Sequence, residues 1–268
     1  MQDLRQTKEW ANYLSSWGWE VEEVDCQEQT KARILIRKFP FTPVSFFKLQ
    51  RFFGKPNLEK ILEIKKRHRV VYSIIEPLSK EGILPGYRQL SSYYVPSKTT
   101  VIDLSKPINK IFSAFSKTTR NILYKTSSVK IIETDLKTFY PAWKAASKTY
   151  VPPYSRINIL LSVFGPKAKL LISQCNGKPL SGLLLLSSKD TANYFYSWTN
   201  PVGRQKNTHY YLIWQTLQDA QKNGLKYFDF EGIFDSRFPN KKWLGFSDFK
   251  KKFGGTEISY PGCFGRWF

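Results

Sequence analysis

Sulfur and imidazole are scarce in this chain: three cysteines, two histidines and one methionine among 268 residues. Cys26, Cys175 and Cys263 form no C-x-x-C pair and are odd in number. That excludes a disulfide framework and a cysteine zinc site, and it fits a reducing compartment. His68 and His209 stand far apart in the sequence, so neither a metal cluster nor a histidine-based triad is indicated, and each is expected to be structural or exposed. No run reaches the roughly 18 apolar residues that a membrane span needs. The opening MQDLRQTKEWANYL lacks the apolar core of a signal peptide. A cytoplasmic protein is expected, at most peripheral at the inner face of the membrane.

Acidic residues are also few. Asp plus Glu number 21 against 42 Lys plus Arg, a formal net charge of +21. Such a surface attracts polyanions: nucleic acid, anionic headgroups or phosphorylated substrates. The alternative is a proteome that uses lysine as its general solvated residue. Hydrophobic residues make up 41% and aromatics 16%, enough to bury a core and too many for a disordered chain.

Periodicity predicts a helix over 7–17, strands at WEVEEVD and ARILIRKFP, a helix over 57–68, and strands at RVVYSIIEP and TTVIDLS. A basic amphipathic helix is predicted from Pro107 to about Ser127. A second series follows: the strand VKIIETD, the helices LKTFYPAWKAASKTY and SRINILLSVFG, a hairpin turning at Asn176-Gly177, and the strand TANYFYSWTN. A helix over 207–223, the strand KYFDFEGI, a short helix FSDFKKKFGG and a last strand TEISYPGCFG complete it. This is the element order of a GNAT acyltransferase domain. The expected fold class is α/β (α+β), with tandem GNAT-like domains whose mixed, mostly antiparallel sheets are flanked by helices. The expected boundary lies near residue 125, giving an N-terminal domain over 1–125 and a catalytic domain over 126–268.

Two sets of residues stand out by spacing alone. Tyr194, Tyr196 and Trp198 alternate on one strand and are expected to share a face, lining a substrate cleft or packing in the core. Asp229 and Glu231 likewise share a strand face, where a carboxylate can hold an incoming ammonium. The segment Pro201 to Asn207 stands where GNAT enzymes cradle the CoA pyrophosphate. Its single glycine makes a poor anion nest, which argues against ordinary acyl-CoA chemistry.

Four segments resemble the FemABX peptidyltransferases: ARILIRKFPF, KTTRNILYKTSS, GKPLSGLLLL with NYFYSWTNPVGRQKNTHYYLIWQTLQDAQKNGLKYFDFEGI, and GFSDFKKKFGGTEISYPGCF. The resemblance covers nearly the whole chain. It implies two GNAT-like domains and transfer of an amino acid from aminoacyl-tRNA to the stem peptide of a murein precursor, lipid II or UDP-MurNAc-peptide, with no cofactor. It implies that Lys250 of the Phe249-Lys250 pair stabilises the oxyanion or the leaving tRNA oxygen, while the Phe249 carbonyl receives the amine proton. Otherwise Lys250, Lys251 and Lys252 are a solvated charge run. Arg156 resembles an arginine that grips precursor phosphates, and Lys38 is a second candidate for that role. Arg120, Lys241 and Lys242 are candidates for tRNA phosphates. The chain departs from the family pattern at Glu231, where glycine is usual, and at Leu160, where tyrosine is common. It also shows no heptad arm for tRNA. Two other readings are an acyl-CoA N-acyltransferase and a basic protein that binds RNA or anionic membrane without catalysis.

Overall fold

The computed structural model describes residues 1–27, 30–125, 129–147 and 150–268. The first half of the chain runs α1 (Lys8–Ser15), β1 (Glu20–Asp25), β2 (Lys31–Lys38), β3 (Ser45–Gln50), α2 (Leu58–Arg67), β4 (Val70–Glu76), β5 (Arg88–Gln89), β6 (Lys98–Asp103), α3 (Ile108–Ser113) and α4 (Lys117–Tyr124). Next come β7 (Lys130–Glu133), α5 (Leu136–Ala146), α6 (Tyr154–Phe164), β8 (Ala168–Cys175), β9 (Lys178–Ser187), β10 (Thr191–Thr199), α7 (Pro201–Gln205) and α8 (Thr208–Lys222). The last elements are β11 (Tyr227–Gly232), α9 (Leu244–Lys251), β12 (Thr256–Ser259) and β13 (Phe264–Trp267). Among the described residues no helix is long and apolar enough to cross a membrane.

The strands form two mixed sheets, ordered β1-β2-β3-β4-β13-β5 and β12-β6-β11-β10-β9-β8-β7. β3–β4 and β10–β11 pair in parallel, whereas β1–β2, β2–β3, β7–β8, β8–β9 and β9–β10 are antiparallel. The expected fold class is borne out.

Two compact units result, each drawing on separated stretches of chain. One comprises Met1–Gln2, Thr99–Ile233 and Lys242–Glu257; the other comprises Asp3–Lys98, Phe234–Lys241 and Ile258–Phe268. The chain thus changes unit at residues 98–99, upstream of the expected cut near 125. The reason is pairing: β6 joins β11 antiparallel, Phe228 opposite Ile102, and so belongs to the second sheet. The expected last strand is two strands in two different sheets, β12 and β13, separated at Pro261-Gly262. The expected basic helix is also two, because the Ser116 side chain accepts the Thr119 N–H and starts α4 afresh. The predicted ends of that helix and of the one expected to reach Tyr150 fall partly outside the described residues.

In the larger unit, α8 buries Leu212, Ile213, Leu217 and Ala220 against Leu183, Leu185, Phe228 and Phe230. α5 covers the other face of the same sheet, where Phe139 and Trp143 meet Trp198 and Tyr196. In the smaller unit, Ile61 and Ile64 of α2 join Ile34, Ile36, Phe47, Leu49 and Ile75 in a separate core.

Gly182 lies under the Trp198 indole, and a Cβ there would sit 2.4 Å from the Trp198 Nε1. Overpacking of this kind costs about 1–3 kcal/mol. Gly182→Ala is therefore expected to lower the unfolding free energy by about that amount, measured by denaturant titration with the m-value unchanged.

Candidate active site

The site begins where two parallel strands part. β10 and β11 pair at Thr191–Tyr227, Ala192–Phe228 and Asn193–Asp229, and at no later position. Beyond them β10 continues alone along β9, and the register of β11 with β6 shifts between Asp229 and Gly232. The opening leads to a cleft of about 310 Å³ lined by Tyr194, Ser197, Arg204, His209, Phe246 and Phe249, among others.

A β-bulge shapes its wall. Tyr194 lies opposite Leu185, yet Tyr196 lies opposite Leu184, so Phe195 is an extra residue. The bulge reverses the alternation. Tyr194 faces α8, and its hydroxyl lies 2.7 Å from the His209 Nε2. Tyr196 turns to the other face and packs on Trp143 with centroids 5.0 Å apart. Trp198 packs there on Phe139. The expected common face for the three aromatics is thus corrected: Tyr196 belongs to the α5 side, away from the cleft.

α9 delivers Lys250 and Phe249. Lys250 is buried, and its ammonium donates to the Gly232 carbonyl at 2.7 Å. It is flanked by the rings of Tyr194 and Phe246, at 5.2 and 5.0 Å from their centroids. A solvated charge run is therefore the wrong description of this lysine. Burial pulls its pKa down to about 8, and the charges of Glu231 and Asp229 oppose that fall. The Phe249 ring packs on His209, Tyr210 and Phe253, and its carbonyl accepts the Lys252 N–H at 3.2 Å.

The two carboxylates sit on β11 where it leaves the sheet. Asp229 is buried; its Oδ1 accepts the Glu231 N–H at 2.7 Å and takes a short hydrogen bond from the Thr99 hydroxyl. Glu231 has a left-handed backbone, φ +58°. That conformation costs a side-chain-bearing residue about 1 kcal/mol and costs glycine nothing. Glycine, which the FemABX resemblance leads one to expect at this position, would take this conformation freely. Here the conformation is retained with a carboxylate whose charge acts on Lys250.

His209 is buried, hydrogen-bonded to Tyr194 and in contact with Phe249. Burial drives its pKa to about 3, so it is neutral throughout the working range. Thr99, Arg204 and His209 are site residues that sequence reasoning did not single out. Thr99 is 130 positions from its partner Asp229, and only the β6–β11 pairing brings the two together.

Other candidates lie elsewhere. Arg156 is exposed in the first turn of α6. The apolar side of that helix, Ile157 and Leu160, is buried against β8, and nothing brings the arginine to Lys250. Lys38 ends β2 in the six-stranded sheet, exposed and 3.7 Å from Glu20. Arg120 turns back on its own segment: its guanidinium donates to the Ser113 carbonyl at 3.0 Å and closely to that of Phe115, bracing the turn between α3 and α4. Lys241 and Lys242 are exposed in a short 3-10 turn before α9. The segment expected to be a CoA loop is helix α7. Its Gly203 is packed so closely that a Cβ would lie 2.3 Å from the Leu180 carbonyl oxygen, so this glycine serves packing.

Two α/β units with splayed central strands and a cleft at the splay have a GNAT-like fold. Residues 167–266 match the model of the FemAB family, which bears out the FemABX resemblance and the expectation of a transferase. No curated protein sequence matches the chain. Among solved structures, FemX superposes with a TM-score of 0.82 at 15% identity, covering 99% of this chain and 92% of that one. The C-terminal domain of a putative lysylphosphatidylglycerol synthetase from Agrobacterium fabrum gives 0.58 at 13% identity, covering 98% and 88%. A tandem GNAT protein of the clavulanic acid biosynthesis pathway gives 0.53 at 9% identity, covering 88% and 78%.

Because Glu231 holds up the pKa of Lys250, Glu231→Gln is expected to lower it further. Titration of the Lys250 amine, followed by the pH dependence of its reductive methylation, should move to lower pH in the variant. An unchanged titration would show that the two charges do not interact.

Proposed function

We propose that this protein transfers an amino acid from aminoacyl-tRNA to the stem-peptide amine of a peptidoglycan precursor, lipid II or UDP-MurNAc-peptide. The observation that carries the reading is the buried Lys250 ammonium at the open end of β10 and β11, beside a cleft and on the helix that holds Phe249. The FemAB match over residues 167–266 supports the same reaction class.

An aminoacyl ester is already activated, so the reaction needs position and a positive charge near the developing oxyanion more than a strong base. The acceptor amine forms the new C–N bond, the ester C–O bond breaks, and the amine proton passes to the leaving ribose oxygen. Lys250 stabilises negative charge on the oxyanion or on that oxygen. The Phe249 carbonyl keeps one lone pair beyond its bond to Lys252 and is suited to hold the amine proton in transit. Asp229 and Glu231 keep Lys250 charged despite its burial. Arg156 and Lys38 remain candidates for precursor phosphates, and Arg120, Lys241 and Lys242 for tRNA. A lipid-linked acceptor would bring the protein to the inner membrane face, where its +21 charge favours anionic lipid.

The test is a transfer assay with a pool of radiolabelled aminoacyl-tRNAs and either precursor. Wild type should move label. Lys250→Met should lower kcat by on the order of 10²–10³ with KM little changed. No transfer from any tRNA, alongside acyl-CoA turnover, would overturn the reading.

Activity should also fall as pH rises through about 8, where Lys250 loses its proton. The stability consequence has the opposite sign. Between about 8 and its ordinary value of 10.5 the unfolded chain binds this proton and the folded chain does not, so folding gains stability as pH rises through that window. In Lys250→Met that increment should vanish from pH-dependent denaturant melts.

A further inference from the structure

The turn between β2 and β3 spends conformational energy on a side chain that touches nothing in its own unit. Phe39, Pro40, Phe41 and Thr42 form a tight turn closed by the Thr42 N–H to the Phe39 carbonyl at 3.3 Å. Pro40 stands at the second position, and Phe41 at the third has φ +61°. A turn of this pattern favours glycine or asparagine at its third position, since a Cβ there is strained. Phenylalanine has no polar atom to gain by a local hydrogen bond, and its ring is fully exposed. The strain therefore brings the fold no packing. Pro43 follows, and the Phe39 N–H to Val44 carbonyl bond of 3.0 Å fastens the base, so the ring is held out on a stiff support.

Four cations are exposed at the same end of this sheet. Arg37 and Lys38 are exposed at the end of β2. Arg67 is exposed at the end of α2 and Arg69 just before β4, and the Arg69 carbonyl accepts the Ser45 N–H at the start of β3. The acids at this end are Glu20 and Glu22, which Lys38, His68 and Arg67 engage. Arg37 and Arg69 carry charge beyond what those two carboxylates balance.

We infer that the β2–β3 turn is a membrane-docking element: Phe41 enters the boundary between headgroups and acyl chains of an anionic bilayer while the arginines and lysine beside it meet the phosphates. An exposed apolar ring with cations at the same end of the sheet matches that boundary, where apolar and anionic layers lie next to each other. The inference rests on the membrane contact in the function proposed above and not on its chemistry.

The experiment is co-sedimentation of the full chain with vesicles of phosphatidylcholine alone or mixed with phosphatidylglycerol, across a salt series. Wild type should bind the anionic vesicles and lose them as salt rises. Phe41→Gly should weaken that binding by on the order of tenfold, the scale of one ring leaving water. Glycine takes the φ +61° conformation without strain, so its thermal melting point should not fall, and Phe41→Trp should restore binding. Equal binding by wild type and Phe41→Gly, or indifference of wild type to phosphatidylglycerol, would overturn the inference. So would a Phe41→Gly loss confined to bulk tRNA, which would make the turn a nucleic-acid contact. Because vesicle binding is read without substrate, failure of the transfer assay leaves this test intact.

Discussion

Three paired positions hold β10 to β11, and then the strands separate. Everything at the site depends on that separation. A sheet that stayed paired would satisfy its backbone groups and leave no room for a side chain from α9. Past the last β10–β11 pair, Gly232 still stands opposite Thr99 of β6, and its carbonyl accepts from the Lys250 ammonium. The same departure puts Glu231 into a left-handed conformation and brings its carboxylate within electrostatic reach of the lysine. A buried cation is costly unless it is hydrogen-bonded and compensated. Here one carbonyl and two carboxylate charges do both, and the lysine keeps an ionisation near neutrality that an exposed one would not have.

The second constraint is the bulge at Phe195. It divides the aromatic strand between two functions. Tyr194 joins His209 and Phe249 on the α8 side, where the cleft lies; Tyr196 packs against α5, and Trp198 packs on Phe139 and also lines the cleft. Trp198 then forces a glycine opposite, at Gly182. One inserted residue thus removes Tyr196 from the cleft and sets Trp198 over the position that must be small.

Much of this was legible in the residues. Apolar periodicity located nearly every element, Asn176-Gly177 marked the hairpin, and the Phe249-Lys250 pair before Phe253-Gly254-Gly255 pointed to the helix that carries the site. Two of the misses share a cause: partners that are distant in the chain. The alternation of Tyr194, Tyr196 and Trp198 is perfect on paper, and only pairing with β9 reveals the extra residue. Thr99 has no local signature, because its partner is supplied by β11. The break at Ser116 was visible as a cap signal, yet the apolar period continues through it and masks it.

The placement of β13 carries a consequence for how the protein is made. The six-stranded sheet is built mainly from the first hundred or so residues, but the strand between β4 and β5 is Phe264–Trp267. Until those residues leave the ribosome, β4 exposes an unpaired edge rich in valine and isoleucine. Strand edges of that kind recruit other chains. Nascent or prematurely terminated chains should therefore be the ones that call on chaperones, and this sheet closes only as synthesis reaches its final strand.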